Sequence, residues 1–391
     1  MGTKYEHLLP DVKVEYRSEK CSERLDGRAL DRLGPGSWVG DTVVNFFALL
    51  LQRELLSPEQ QRAVYIYNSW FLPKLSLREI REQAPERDVA EQLGRSHSGE
   101  KGAVPFGGGE WAAYFEQAYG GVKKWTGGVD IFRKRYLLMP WFKDSHFALI
   151  VVCFPAHFAV RPAQDQGAEP TQPPDAGGKE LTLLYIDSLA GRDVPQHIGR
   201  WVQGYLRFAW DESAKTQGSY ACEWTEQQRG QGPAANSPIF THGSLYDMER
   251  RRCPAQPNGV DCGLYMLANM AMFGMTCPDD LSPPYPAFLT ERWYPNELVA
   301  GLRALLFQDV ALRLHAETAR MRSDSDAMEA KCLEIREALC DGIEEALRCA
   351  LKQTSPARWR KLPMRGDAQD RALQFRAYFA DEIARLQGSG S

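Results

Sequence analysis

Three residues far apart in the chain could carry nucleophilic chemistry if the fold brings them together. Cys262 stands in "CPAQPNGVDCGLYMLANM", residues 253–270, where a turn and an Asp-Cys-Gly triplet precede an apolar run at helical spacing. His146 opens "HFALIVVCFP", and Asp187 closes "LTLLYIDSL". Each alone has an ordinary explanation: a histidine at a strand end, an aspartate closing a strand, a cysteine filling a core. As a set they allow more. An imidazole beside a thiol can take its proton, and a carboxylate beside the imidazole fixes the tautomer and stabilises the charged ring. A cysteine at a helix N-terminus faces the positive end of the helix dipole, which draws the thiol below its usual pKa of about 8.5. The turn "QPNG" can bend Gln256 back toward the sulfur. Its amide and the Cys262 backbone N–H would then be two donors for an oxyanion, each worth roughly 10²–10³ in rate. Gly263 leaves room for a substrate backbone beside the sulfur.

The elements that must position this set can be read from hydrophobic periodicity. "YLLMP" and "HFALIVVCFP" are β-branched and apolar, as buried strands are, and "LTLLYIDSL" resumes the pattern after a polar, Pro/Gly-rich stretch. Two such strands side by side would set His146 beside Asp187. "DCGLYMLANMAMFG" reads as a helix starting at Cys262. Earlier, "DGRALDRLG" reads as a short helix with an Asp cap and a Gly stop, and "DTVVNFFALLLQREL" as a second helix burying Val43, Val44, Phe47, Leu50 and Leu51. Helices and strands fall in separate blocks, so the fold class is α+β. Insertions are expected near 94–110, 161–180 and 228–240. From about 316 the pattern is helical, with Met328, Cys332, Ile335, Leu339, Ile343, Leu347 and Leu351 forming one apolar stripe. The spacing predicts two helices packed on the body rather than a free arm. The organisation expected is a catalytic domain over 1–315 and a helical extension over 316–391.

Composition excludes several classes. Across 391 residues the formal net charge is −4, which argues against a dedicated nucleic-acid binder. The basic runs "MERRRC" and "RWRKLPMR" read as solvated faces. The apolar run from Phe147 to Pro155 is far below the roughly 20 residues that span a bilayer, and the first residues lack the apolar core of a secretion signal. Nine cysteines, an odd number scattered in apolar settings, suit a reducing compartment. No Cys-x-x-Cys or His-Glu-x-x-His is present, so neither a metal nor a cofactor is expected.

At the four motifs the chain resembles a known family, the SUMO-specific (sentrin-specific) cysteine proteases of the adenoviral-protease clan. "LGPGSWVGDTVVNFF", "HFALIVVCFP", "YIDSLAG" and "CPAQPNGVDCGLYML" are similar, in that order, to the family's opening motif and to its His, Asp and Gln/Cys blocks, over most of residues 25–315. "VKKWTGGVDIFRKRYLLMPWFKDSHFALIVVCFP" resembles the branch that trims poly-SUMO chains. The resemblance implies a papain-like α+β fold and hydrolysis after a Gly-Gly C-terminus. It implies SUMO, SUMO-conjugated proteins and poly-SUMO chains as partners, a monomer, and a place in the nucleus or cytoplasm. It assigns His146, Asp187, Cys262 and Gln256 to catalysis. It assigns Trp38, Asp41 and Phe147 to substrate binding, with Trp38 and Phe147 roofing the Gly-Gly tail and Asp41 meeting a basic residue. Phe147 stands where the family usually has Trp. Deconjugation of another ubiquitin-like modifier or of ubiquitin, and acyl transfer by the same residues, remain open alternatives.

Overall fold

The computed structural model describes residues 4–9, 11–17, 22–76, 109–155, 182–189, 249–278, 289–320 and 326–388, with single positions between 192 and 212. The expected insertions at 161–180 and 228–240 lie outside the described residues, as does all of 94–110 but its last two residues.

A five-stranded mixed sheet organises the molecule. A small antiparallel pair, β1 (Val14–Arg17) and β2 (Ser22–Leu25), stands apart from it. The sheet consists of β3 (Val64–Ile66), β4 (Tyr136–Lys143), β5 (His146–Cys153), β6 (Thr182–Ile186) and β7 (Glu249–Arg251), in that order across the sheet. The outer pairs β3/β4 and β6/β7 are parallel, and the inner pairs β4/β5 and β5/β6 are antiparallel. Strand alternation divides two cores between the faces. Tyr136, Leu138, Phe147, Leu149, Val151, Leu184 and Ile186 enter one core. Leu137, Met139, Trp141, Ala148, Ile150, Val152, Leu183 and Tyr185 enter the other. Apolar residues on both faces explain why β5 reads as a continuous hydrophobic run instead of an alternating one.

The β4–β5 turn fixes where β5 begins. Lys143 pairs with His146, leaving a two-residue loop of Asp144 and Ser145. Both have positive φ, 52° and 58°. Two successive left-handed residues give a hairpin turn whose twist matches its strands, usually with Asn-Gly or Asp-Gly. Here the second position is serine, so the turn holds backbone strain directly before His146.

The first two helices follow the sequence reading with one local difference. α1 (Gly27–Leu33) is capped by the Asp26 side chain, which accepts from Arg28 N at 3.0 Å. α2 (Asp41–Leu50) does not run on as an α-helix to Leu55 but winds into a π-helical turn over Leu51–Leu55. The loosened carbonyls there find a donor far away: Arg376 bonds Leu55 O at 3.0 Å and also Glu54 O. α3 (Gly109–Val122) covers the second core. α4 (Cys262–Thr276) is buried from Cys262 through Met275, as a helix apolar all round must be.

Three long helices complete the first core: α5 (Asn296–Arg320), α6 (Asp326–Leu351) and α7 (Ala368–Gly388). Residue 316 falls inside α5. In α6 the stripe is buried at Cys332, Ile335 and Leu339, but it ends before Leu351, which is 45% exposed. Phe375, Tyr378 and Phe379 of α7 belong to the same core as Phe47 and the α4 side chains. Tyr378 lies so close over α5 that a Cβ on Gly301 would sit 1.9 Å from its hydroxyl.

Candidate functional site

His146, Asp187 and Cys262 converge at one end of the sheet. The last β5/β6 pair is Leu149 with Ile186, so the register carries Asp187 opposite Ala148. His146 is therefore the diagonal neighbour of Asp187, not its directly facing partner, and a histidine is long enough to span that diagonal. Its Nε2 lies 2.7 Å from Asp187 Oδ1 across 41 residues of sequence. By alternation both side chains belong to the face carrying the second core. Cys262 comes from the opposite side, as the first residue of α4. The sulfur meets the imidazole where the sheet ends and neither face separates them.

Both oxygens of the Asp187 carboxylate are engaged. Oδ1 also accepts from Leu189 N at 2.8 Å, and Oδ2 accepts from Tyr185 Oη at 2.9 Å. Burial alone would raise its pKa, but the bond from His146, then those from Leu189 and Tyr185, hold it below the ordinary carboxylate value. Burial likewise pushes the charged form of His146 down, yet its bonds to Asp187 and Cys262 prevail and bring it up to about 9. For Cys262, burial raises the thiol, while the hydrogen bond with His146 and the backbone N–H groups of Phe147 and Gly263 lower it below the usual range. The favoured state is thus a thiolate beside an imidazolium, tied to a carboxylate. Such a set can attack an electrophilic carbon and return a proton to a leaving group.

Gln256 is held as an arm over this end of the sheet. Its backbone N–H donates to Ser188 O at 3.1 Å, and Ser188 Oγ donates to its Oε1 at 2.7 Å. One amide hydrogen is used on Asn258 O at 2.6 Å, and the second is left for another acceptor. The turn is knitted by Asn258, whose Oδ1 accepts from Val260 N and Asp261 N at 2.9 and 3.0 Å. Asp261, the residue before the cysteine, makes no helix-capping bond; Asn258 Nδ2 donates to its Oδ2 at 2.7 Å.

The structure separates the three residues assigned to substrate binding. Trp38 is 47% exposed, as an open wall would be. Phe147 is not open: it is 4% exposed, inside the main core, with its ring 4.6 Å from that of Phe142. Asp41 is the first residue of α2, and its Oδ1 accepts from Ser69 Oγ at 2.9 Å. Burial raises its pKa, with the Ser69 bond working against that rise. Gly263 also has a packing part. A Cβ there would meet Val39 Cβ at 3.1 Å and Phe147 Cδ2 at 3.4 Å. The missing side chain makes room for the protein's own Val39 and Phe147.

Several residues were not singled out from sequence. Tyr185 had a signal: two residues before Asp187 on a strand, it must share its face. Trp70, 54% exposed, follows the Ser69 that holds Asp41. Arg303, from α5, reaches Asp261, and nothing local to it in the sequence points there. Among the described residues no group of three or more His, Cys, Asp or Glu is placed to hold a metal ion, and no helix is long and apolar enough to cross a membrane.

Comparison with known proteins finds a family model that matches just under half of the chain. Residues 107–291 match the profile described as "Ulp1 protease family, C-terminal catalytic domain", a span containing His146, Asp187, Gln256 and Cys262. The chain is 27% identical over 300 residues to "Probable ubiquitin-like-specific protease 2B" of Arabidopsis thaliana, covering 75% of this chain and 26% of that one. It is 22% identical over 328 residues to "Sentrin-specific protease 7" of Rattus norvegicus, covering 74% and 27%. It thus spans about a quarter of the length of these two curated relatives. Among solved structures, a de-sumoylating protease overlaps with a TM-score of 0.41 at 14% identity, covering 88% of this chain and 96% of that one. The C-terminal Ulp1 protease domain in complex with Smt3, the yeast ortholog of SUMO, overlaps with a TM-score of 0.36 at 18% identity, covering 68% and 79%.

Proposed function

From the match of residues 107–291 to the catalytic-domain model of the Ulp1 protease family we propose that the protein is a cysteine protease of that family, which hydrolyses the bond after the Gly-Gly C-terminus of SUMO, releases SUMO from lysines and trims SUMO chains. The observation that carries this reading is the hydrogen-bonded series Asp187–His146–Cys262, with the thiol lowered and the imidazole raised to about 9.

The thiolate of Cys262 attacks the carbonyl carbon of the terminal glycine. The carbonyl oxygen becomes an oxyanion, met by the Cys262 N–H at the start of α4 and the remaining amide hydrogen of Gln256. His146 gives its proton to the departing lysine amine, and the carbon–nitrogen bond breaks. A thioester remains on Cys262. His146, now neutral, takes a proton from water, the hydroxide adds to the thioester carbon, and the carboxylate of the modifier leaves as the thiolate re-forms. Asp187 keeps the imidazole in place through both halves. Trp38 flanks the extended tail, and Asp41 meets a basic residue on the modifier.

The test is labelling by a panel of modifiers ending in a C-terminal electrophile. SUMO probes should form a covalent adduct at Cys262, mapped by mass spectrometry, and ubiquitin probes should not. An adduct with ubiquitin in preference to SUMO would replace the substrate named here while leaving the chemistry. Poly-SUMO chains incubated with the protein should shorten to single modifiers.

A further inference from the structure

Arg303 sits in the N-terminal third of α5, 42 residues beyond Asp261 in sequence. Its guanidinium reaches three acceptors at once. Nη1 donates to Gly34 O at 2.8 Å, and Nη2 donates to Ser37 O at 2.9 Å and to Asp261 Oδ1 at 2.5 Å. The two partners of the ion pair are mostly covered, with side chains 12% and 21% exposed. Ser37 directly precedes Trp38, and Asp261 directly precedes Cys262. One planar cation therefore grips the chain one residue before the exposed indole and one residue before the nucleophile.

Resting on the proteolytic reading above, we propose that Arg303 is a positioning residue that holds the Trp38 segment in register with the Cys262 sulfur. Two observations besides the bonds support it. Within the 34–37 turn Ser37 N donates to Gly34 O at 3.1 Å, so the same Gly34 carbonyl that Arg303 holds also ties the turn to Ser37. On its other side the same segment is wedged by Val39 against the bare Cα of Gly263, where a Cβ would come within 3.1 Å. The segment is thus located from both ends relative to α4, by a polar bridge before Trp38 and an apolar contact after it. A tail lying along Trp38 meets the sulfur at a fixed height. Only an arginine suits this place: its rigid fork presents several donors in one plane, whereas a lysine offers one compact charge.

Arg303 touches neither the sulfur nor the imidazole in these contacts, so its loss should spare thiol chemistry that needs no tail. A displacement of about 1 Å between reacting groups costs on the order of 10²-fold in rate. Two variants test this. Arg303→Lys keeps the charge beside Asp261 but not the three-way bridge. The double variant Arg303→Met with Asp261→Asn removes both charges and leaves neither unpaired. Each is assayed for kcat and KM on a SUMO precursor, and for the rate of Cys262 alkylation by iodoacetamide, read on the intact peptide. The expected result is a fall in kcat of about tenfold for the lysine and about a hundredfold for the double variant, with alkylation within about twofold of wild type. A parallel loss of alkylation and cleavage would overturn the inference, because Arg303 would then serve the thiol or the fold as a whole. Wild-type cleavage by Arg303→Lys would overturn it as well, and that variant decides the matter should the double variant not fold. A wild-type protein that alkylates at Cys262 yet cleaves no Gly-Gly-ended modifier would sink the functional reading and this inference with it.

Discussion

The two faces of the central sheet are built differently. One face is covered by a core that draws on residues from Tyr5 to Phe379, nearly the whole chain, with α4 at its centre. The other is covered, among the described residues, by a smaller cluster from α3, the segments around Phe71 and Phe132, and Ile198, Trp201, Val202, Tyr205, Leu206 and Ala209. That smaller cluster is rich in tyrosine hydroxyls: Tyr67 bonds Tyr205 at 3.1 Å, and Tyr205 bonds Thr126 at 3.1 Å. The broad core supplies the helix that carries the sulfur. The tyrosine-rich face supplies His146, Asp187 and the Tyr185 that braces them. The nucleophile is thus mounted on apolar packing, and its acid–base partners on hydrogen bonds. Damage to one face should show first as lost stability, and damage to the other as altered proton chemistry.

The strongest way to test that division is to remove the chemistry and keep the packing. Cys262→Ser should abolish SUMO cleavage while leaving the melting temperature and modifier binding near wild type, because the hydroxyl cannot be ionised by His146 in this setting. Asp187→Asn should lower kcat by about 10⁴. It should also move the titration of His146, read by NMR, from about 9 toward the ordinary value of about 6.5. The sign follows from the charges. The carboxylate and the thiolate hold the proton on the ring, so wild-type kcat/KM should rise as the thiol ionises and fall only as the pH climbs through about 9. A descending limb already near neutral pH in the wild type would contradict the ion pair.

On the packing side the expected effects are in stability. Phe375→Ala, at a fully buried ring 6.2 Å from that of Phe47, should cost about 3–5 kcal/mol in chemical denaturation and leave the pH profile unchanged. Phe147→Trp should cost about 1–3 kcal/mol by overpacking, since the ring is sealed against Phe142 and the α4 N-terminus. A more stable or more active tryptophan variant would mean that this ring opens to the tail in solution. The smallest change is Tyr185→Phe, which deletes one bond to Asp187. It should lower kcat about fivefold and cost about 1 kcal/mol of stability, the worth of one hydrogen bond and well below the loss for Phe375→Ala. If it lowered stability as much as Phe375→Ala, the contrast between the faces would fail.

Most of the local pattern could be read from sequence. The β4 and β5 runs, the Asp26 cap, the α4 start and the residues of the His-Asp-Cys set are each written in a few consecutive residues. What could not be read depends on contacts across the chain. The diagonal placement of His146 against Asp187 follows from the β5/β6 register, which the intervening 161–180 stretch does not specify. The role of Gly263 depends on Val39, more than two hundred residues earlier, and the burial of Phe147 depends on a strand neighbour. Leu351 satisfies the helical stripe, yet it is exposed because the face buried at this end of the helix runs through Ala346 and Ala350 instead. Arg303 is the extreme case: an arginine on an amphipathic helix looks like any solvated cation until three distant acceptors surround it.

The far reach of the broad core also bears on when activity can begin during synthesis. Phe375, Tyr378 and Phe379, which close the core around α4, are translated more than a hundred residues after Cys262. At roughly 5–20 residues per second, the cysteine waits about 5–25 s before its supporting helix can be locked in place. Through that interval the newborn chain has its nucleophile but not the mount that aims it. Nascent chains stalled just after residue 320 should therefore fail to react with an electrophilic SUMO probe, and release of the remaining residues should switch the reaction on. Reaction by the stalled chain would show that α7 is dispensable for seating the thiol.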